Sequence, residues 1–235
     1  MFVGVYTFFL MLLDIHSILD QTAIIPLLVL VWAINYGPKR ELYTPFIVVL
    51  IIKQLAEIAT FILIKGFHAS NAIPYNILYT AEAFLFTIQF KKWGIFNQNI
   101  KLYRSTLFSL AAIWIFDHFI LHSFTTFNIY FRLYYCFILT LIAIYQINLL
   151  TVNSNKPLYN NSIGIICMGI ILLFTYNIVY EVIFRMGLYN KKYIDLAVKT
   201  DEVMAYFNAA TNLLFAWAMY HLPTMKDFRM PKNHP

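Results

Sequence analysis

Seven stretches of about 20 mostly apolar residues recur along the chain, parted by short polar segments, and each can cross the hydrocarbon core of a bilayer as a helix. They run over Ser17–Tyr36, Tyr43–Lys65, Asn71–Phe90, Leu102–Leu121, Asn128–Val152, Asn161–Phe184 and Thr200–Leu222. Proline placement follows the same punctuation. Pro45 and Pro74 fall in first turns, where a missing N–H costs nothing, and Pro223 comes directly after the last stretch. Pro26 lies inside the first stretch and is expected to kink it. The opening segment Phe2–Leu13 is apolar but too short to cross, and it has neither the basic region nor the cleavage site of a signal peptide. Residues 1–16 are therefore expected to lie along the interface, with an eighth span as the alternative. The pattern predicts an all-α, polytopic membrane protein: one transmembrane domain over residues 1–235, built as a seven-transmembrane-helix bundle with a short tail, residues 224–235.

Composition strengthens this expectation. Of 235 residues, 61% are hydrophobic and 12% charged, against about 45–50% and about 25% in an ordinary soluble domain. Too little polar surface remains to coat a water-soluble globule, so the lipid bilayer is the expected partner. The net charge of +6 does not point to nucleic acid, because the cations sit in loops beside apolar segments. One set of loops holds Lys39, Arg40, Lys91, Lys92, Lys101, Arg104, Lys156, Lys226, Arg229 and Lys232. The other holds Lys65, Arg185, Lys191, Lys192 and Lys199. The more basic set should face the cytoplasm, which puts the N-terminus outside and the C-terminus inside. Cys136 and Cys167 fall in separate stretches and suggest neither a disulfide framework nor a metal knuckle.

Topology gives each intramembrane polar residue a depth. A charge at the bilayer centre costs about 2.5–3.5 kcal/mol on insertion scales, so such residues usually face a cavity or a partner. Lys53, Glu57, Asn76, Tyr79, Glu82, Asp117, His118, Arg132, Tyr135, Asn177, Tyr180, Glu181, Asp201, Glu202, Asn208 and Asn212 all fall from the midplane outward. The inner half is mostly apolar apart from Gln146 and Asn148. Helical phase aligns Asp201, Asn208 and Asn212, with Ala205 and Ala209 beside them, and sets Asn177 one turn from Glu181. The expected result is a polar, acidic pocket open to the extracytoplasmic side. Glu57 and Glu82 would form its floor, and Asn76, Tyr79, Arg132, Asn177, Glu181 and Asn208 would join them around it. The plainer reading is that Asp117, His122, Asp201 and Glu202 are solvated near helix ends, Lys53 and Glu57 form an internal ion pair, and Asn177, Asn208 and Asn212 are interhelical hydrogen-bond glue.

Several chemistries fit parts of this pattern. His118 and His122 are four residues apart, on one helix face, as a metal site needs. An intramembrane metal-dependent hydrolase is therefore one alternative, although no HExxH run and no placed nucleophile accompany the pair. A proton- or cation-coupled transporter or channel subunit is another. It would require polar groups reaching both faces or helices broken at the midplane, and the chain has only seven glycines and no evident inverted repeat. A retinal protein would need a deep lysine in the last helix, where Lys199 stands at the edge. The remaining expectation is a receptor-like or sensory protein, or a membrane subunit of a larger assembly, and no residue pattern establishes an enzyme. A small extracytoplasmic ligand would enter the pocket, and a cytoplasmic or membrane signalling partner would receive the change. No residue pattern identifies a cofactor. The run Asn76-Ile-Leu-Tyr79-Thr-Ala-Glu82, followed by Phe90-Lys91-Lys92-Trp93, resembles a feature of uncharacterised seven-helix membrane proteins of Bacteroidota. That resemblance implies a bacterial inner-membrane location and no established activity.

Overall fold

A computed structural model of the chain describes residue 19 and residues 22–33, 40–97, 99–121, 125–153, 157–189 and 193–221. Among these the chain is all-helical, without a strand. Helix α1 spans Ile25–Ala33 behind a 3-10 turn, Thr22–Ile24. Helices α2 (Arg40–Phe61) and α4 (Ile100–Ile115) each run on into a π-turn, Ile62–Gly66 and Phe116–Leu121. The others are α3 (Ala72–Lys92), α5 (Ile129–Asn153), α6 (Ser162–Tyr189) and α7 (Ile194–His221). The expected interfacial segment 1–16 and tail 224–235 lie outside the described residues.

The outer surface of the bundle is apolar, and several polar side chains are buried inside it. Large apolar side chains face away from it, Phe108 at 77% exposure and Phe61 at 67%, whereas Asn76, Gln89 and Asp117 are at most 1% exposed. Water would favour the reverse arrangement, and lipid favours this one. Four helical stretches are long and apolar enough to cross a membrane: Glu41–Gly66, Ile100–Leu121, Ile129–Val152 and Ser162–Met186. The other three apolar windows of the sequence differ from these. The first gives a short apolar helix, Thr22–Val31. Helices α3 and α7 are long but less apolar, because they carry inward-facing polar residues such as Asn76, Glu82, Gln89, Thr211 and Asn212.

The prolines correct two local expectations. Pro26 is the second residue of α1, directly after the 3-10 turn. It therefore marks the start of the α-helix and not a kink within it. Pro45 is not in a first turn but inside α2, where it leaves the Glu41 carbonyl without its usual donor. The end of α3 repairs the break. Lys92 Nζ donates to the Glu41 carbonyl at 2.8 Å. The Gln89 amide bridges the next two groups, with Nε2 donating to Leu42 O at 2.7 Å and Oε1 accepting from Phe46 N at 3.0 Å. An uninterrupted helix would pair that carbonyl and that N–H with each other.

An aromatic cluster fills the centre. Phe46 of α2 meets Phe86 of α3 at 6.2 Å and Phe215 of α7 at 5.0 Å between ring centroids. Phe174 of α6 meets Phe86 at 5.8 Å and Tyr135 of α5 at 5.5 Å. Five helices thus share one core. Helices α6 and α7 pack most extensively, and a Cβ at Gly169 would stand 2.5 Å from Cε1 of Phe215. Gly169→Ala is accordingly expected to lower stability by about 1–3 kcal/mol through overpacking. Thermal unfolding in detergent checks this, with Gly66→Ala as the control, since a Cβ there meets nothing within 4 Å.

Candidate functional site

The cavity sits at the end of the bundle where α2 and α6 finish and α3, α5 and α7 begin. Its volume is about 360 Å³, and five helices contribute to it: Lys53 and Glu57 from α2, Tyr75, Tyr79 and Glu82 from α3, Arg132 from α5, Asn177, Tyr180 and Glu181 from α6, and Asp201 and Asn208 from α7. Antiparallel succession of the helices explains why polar residues so distant in sequence meet at one end.

Arg132 is the best-anchored cation. Its Nη1 pairs with Glu181 Oε1, and Nη2 donates to Asn177 Oδ1 at 2.8 Å. The guanidinium also lies over the Tyr79 ring at 4.4 Å and faces Tyr180 at 5.9 Å. Asn177 and Glu181 are one turn apart on α6, so a single helix face presents both acceptors. Arg132 is 9% exposed and Glu181 5%. Charge pairing at that depth makes each partner depend on the other.

Glu82 accepts from the Tyr135 hydroxyl at 2.9 Å and shares the cavity lining with Lys53 and Arg132. Tyr135 is fully buried, so its ring belongs to the aromatic core while its hydroxyl serves the cavity. Lys53 Nζ donates to Asn212 Oδ1 at 3.1 Å, and Asn212 Nδ2 donates to Thr22 Oγ1 at 3.0 Å. A polar chain thereby joins α2, α7 and the turn before α1. Glu57 accepts from the Tyr75 hydroxyl at 3.4 Å. Tyr75 stacks on Tyr79 with centroids 5.8 Å apart and leans on Phe127 at 6.5 Å.

Of the residues selected from the sequence, Glu57, Tyr79, Glu82, Arg132, Asn177, Glu181 and Asn208 line this cavity together. Asn76 is not among the lining residues. Its Nδ2 donates to Thr126 O at 2.7 Å and its Oδ1 accepts from Asn128 N at 3.3 Å, so it fastens the turn leading into α5. Asp117, expected in the plainer reading to be solvated, is fully buried. Its Oδ2 accepts from Phe131 N at 2.8 Å, capping α5 from a neighbouring helix. Asp201 and Glu202 are exposed, and Asp201 also lines the cavity.

His118 is buried, with Nδ1 3.0 Å from Trp114 O and its ring between Trp114 and Phe131 at 4.6 and 6.1 Å. His122, its expected metal-binding companion, lies outside the described residues. Among the described residues no three His, Cys, Asp or Glu side chains are grouped to hold a metal.

Two features escaped the sequence pattern. Tyr75 joins the cavity, and its signal was the four-residue spacing to Tyr79 on one helix face. Gln89 left no such mark, because its role depends on Pro45 in another helix. A helical bundle of this kind, apolar on the outside with charged groups converging inside, is a membrane-type arrangement. No protein-family model, curated protein or solved structure matches the chain.

Proposed function

We propose that the chain is a seven-span membrane protein whose cavity receives a small ligand from the extracytoplasmic side and passes the change to a partner protein, in the manner of a receptor. The spans beyond the four most apolar helices are α3, α7 and the first apolar window, Ser17–Tyr36, of which α1 is the described part. At 1.5 Å per residue α3 and α7 reach about 31 and 42 Å, enough for a hydrocarbon core of about 30 Å. Their polar residues turn inward, away from lipid, so modest hydropathy does not keep them out of a bilayer. The basic loops at the end opposite the cavity favour a cytoplasmic position for that end. A bacterial inner membrane is the location implied by the helix α3 resemblance.

One observation carries the choice of binding over transport. Below Glu82 the bundle is filled by Phe46, Phe86, Phe90, Trp93, Phe174 and Phe215, each at most 2% exposed. A transporter needs a polar route or broken helices at that level. Gln146 and Gln89 are both buried at that level, but the Gln89 amide and Lys92 are engaged in closing the break at Pro45 and neither amide atom of Gln146 is hydrogen-bonded, so the two do not join into a polar route. Reconstituted in liposomes with a pH-sensitive dye inside, the protein is expected to carry no proton flux, either as wild type or as Glu82→Gln. A flux that Glu82→Gln abolishes overturns the receptor reading in favour of a proton-coupled transporter.

A further inference from the structure

We infer that the cavity takes a small organic cation, a molecule carrying one ammonium group. The inference rests on the binding reading above and adds the chemical class of the ligand. Two properties of the walls define that class. The charged lining residues among those described are the carboxylates Glu57, Glu82, Glu181 and Asp201 against the cations Lys53 and Arg132, a formal excess of two negative charges. Five aromatic side chains also line it, Tyr75, Tyr79, Phe127, Tyr180 and Phe184, alongside as many aliphatic ones.

Carboxylate plus ring face is the combination that holds ammonium ions, since the ring's negative face attracts a cation and the apolar wall tolerates its methyl or methylene groups. The molecule already uses this chemistry once. Arg132 is seated by Glu181, the Asn177 carbonyl oxygen and the faces of Tyr79 and Tyr180. Glu57 and Tyr75 add a further carboxylate and a further ring to the same lining. Glu57 accepts from the hydroxyl of Tyr75, whose ring continues the stack from Tyr79 toward Phe127. Lys53 does not reverse the balance: its Nζ donates to Asn212 Oδ1 on α7, and the lining carboxylates outnumber the two lining cations. A volume of about 360 Å³ suits a compact molecule, as ligand cavities run from about 300 to 1,000 Å³. An anionic ligand would face the net negative wall, and a neutral apolar one would leave the carboxylates without gain.

Three probes of one shape and different charge test this: choline, its uncharged isostere 3,3-dimethylbutan-1-ol, and 3,3-dimethylbutanoate. Binding is measured by calorimetry on the full chain in nanodiscs. Choline is expected to bind at least about tenfold tighter than the alcohol. Glu57→Gln should weaken choline by about tenfold and leave the alcohol unchanged. Tyr75→Phe, which keeps the ring, should retain choline binding, whereas Tyr75→Leu should lose it, with unfolding temperatures confirming that each variant is folded. Equal or tighter binding of the alcohol or the carboxylate overturns the cation assignment and leaves a ligand-binding cavity. Failure of all three probes to bind the folded wild type overturns both.

Discussion

Replacing Arg132 with methionine is expected to cost about 3–5 kcal/mol of stability, the largest effect of any single substitution in the bundle. The cause is what remains behind. Glu181, 5% exposed, would lose its paired cation, and Asn177 Oδ1 would lose the donor that sits 2.8 Å away. Removing the second charge as well should reverse most of the loss, because an apolar pair of similar volume does not have to be desolvated. Equilibrium unfolding in mixed detergent micelles should therefore place Arg132→Met far below wild type, Glu181→Leu nearly as far below, and the double variant close to wild type. Additive losses in the double variant would show that the two side chains act separately and would remove the ion pair as the anchor of the cavity.

The second large effect is expected at Gln89, well away from the cavity. Gln89→Leu should cost about 2–4 kcal/mol. It removes two hydrogen bonds and leaves Leu42 O and the buried Phe46 N against an apolar neighbour. The break at Pro45 makes that amide necessary. In the Gln89→Leu background, Pro45→Ala is thus expected to recover at least half of the loss by returning an N–H to the Glu41 carbonyl and letting the ladder close. Pro45→Ala alone should change stability little, since Lys92 and Gln89 already satisfy the groups concerned. The same unfolding assay checks both; a Gln89→Leu protein as stable as wild type would mean that α2 repairs its own break.

These expectations rest on features of unequal visibility in the sequence. Helix positions were legible because lipid imposes a length and a hydropathy that runs such as Ile47–Ile52 or Ile163–Phe174 meet plainly. Gathering of Glu57, Glu82, Arg132, Glu181 and Asn208 could be anticipated too, since charges inside apolar stretches must find one another and alternating helix direction brings these to one end. Asn76 shows the limit of that argument. Depth and register assigned it to the same layer, but its amide faces the Thr126–Asn128 turn, and direction about a helix axis depends on neighbours that hydropathy does not name. Asp117 and Gln89 are harder still. Each serves backbone groups of another helix, and a backbone N–H carries no residue-type signal. The span count has the same weakness: polar residues that make α3 and α7 central to the bundle also lower the hydropathy by which a span is recognised.

A receptor of this kind requires its cavity to open on the side opposite the basic loops. Cysteine accessibility measures it directly, and the native background is quiet because Cys136 and Cys167 are both fully buried. Asp201→Cys places a thiol on an exposed position of the cavity lining, and Lys101→Cys places one on an exposed position at the basic end. With a membrane-impermeant maleimide added to intact expressing cells, Asp201→Cys should label at once and Lys101→Cys only after the cells are opened. Labelling of Lys101→Cys in intact cells, with Asp201→Cys protected until lysis, would place the cavity on the cytoplasmic side and contradict the account.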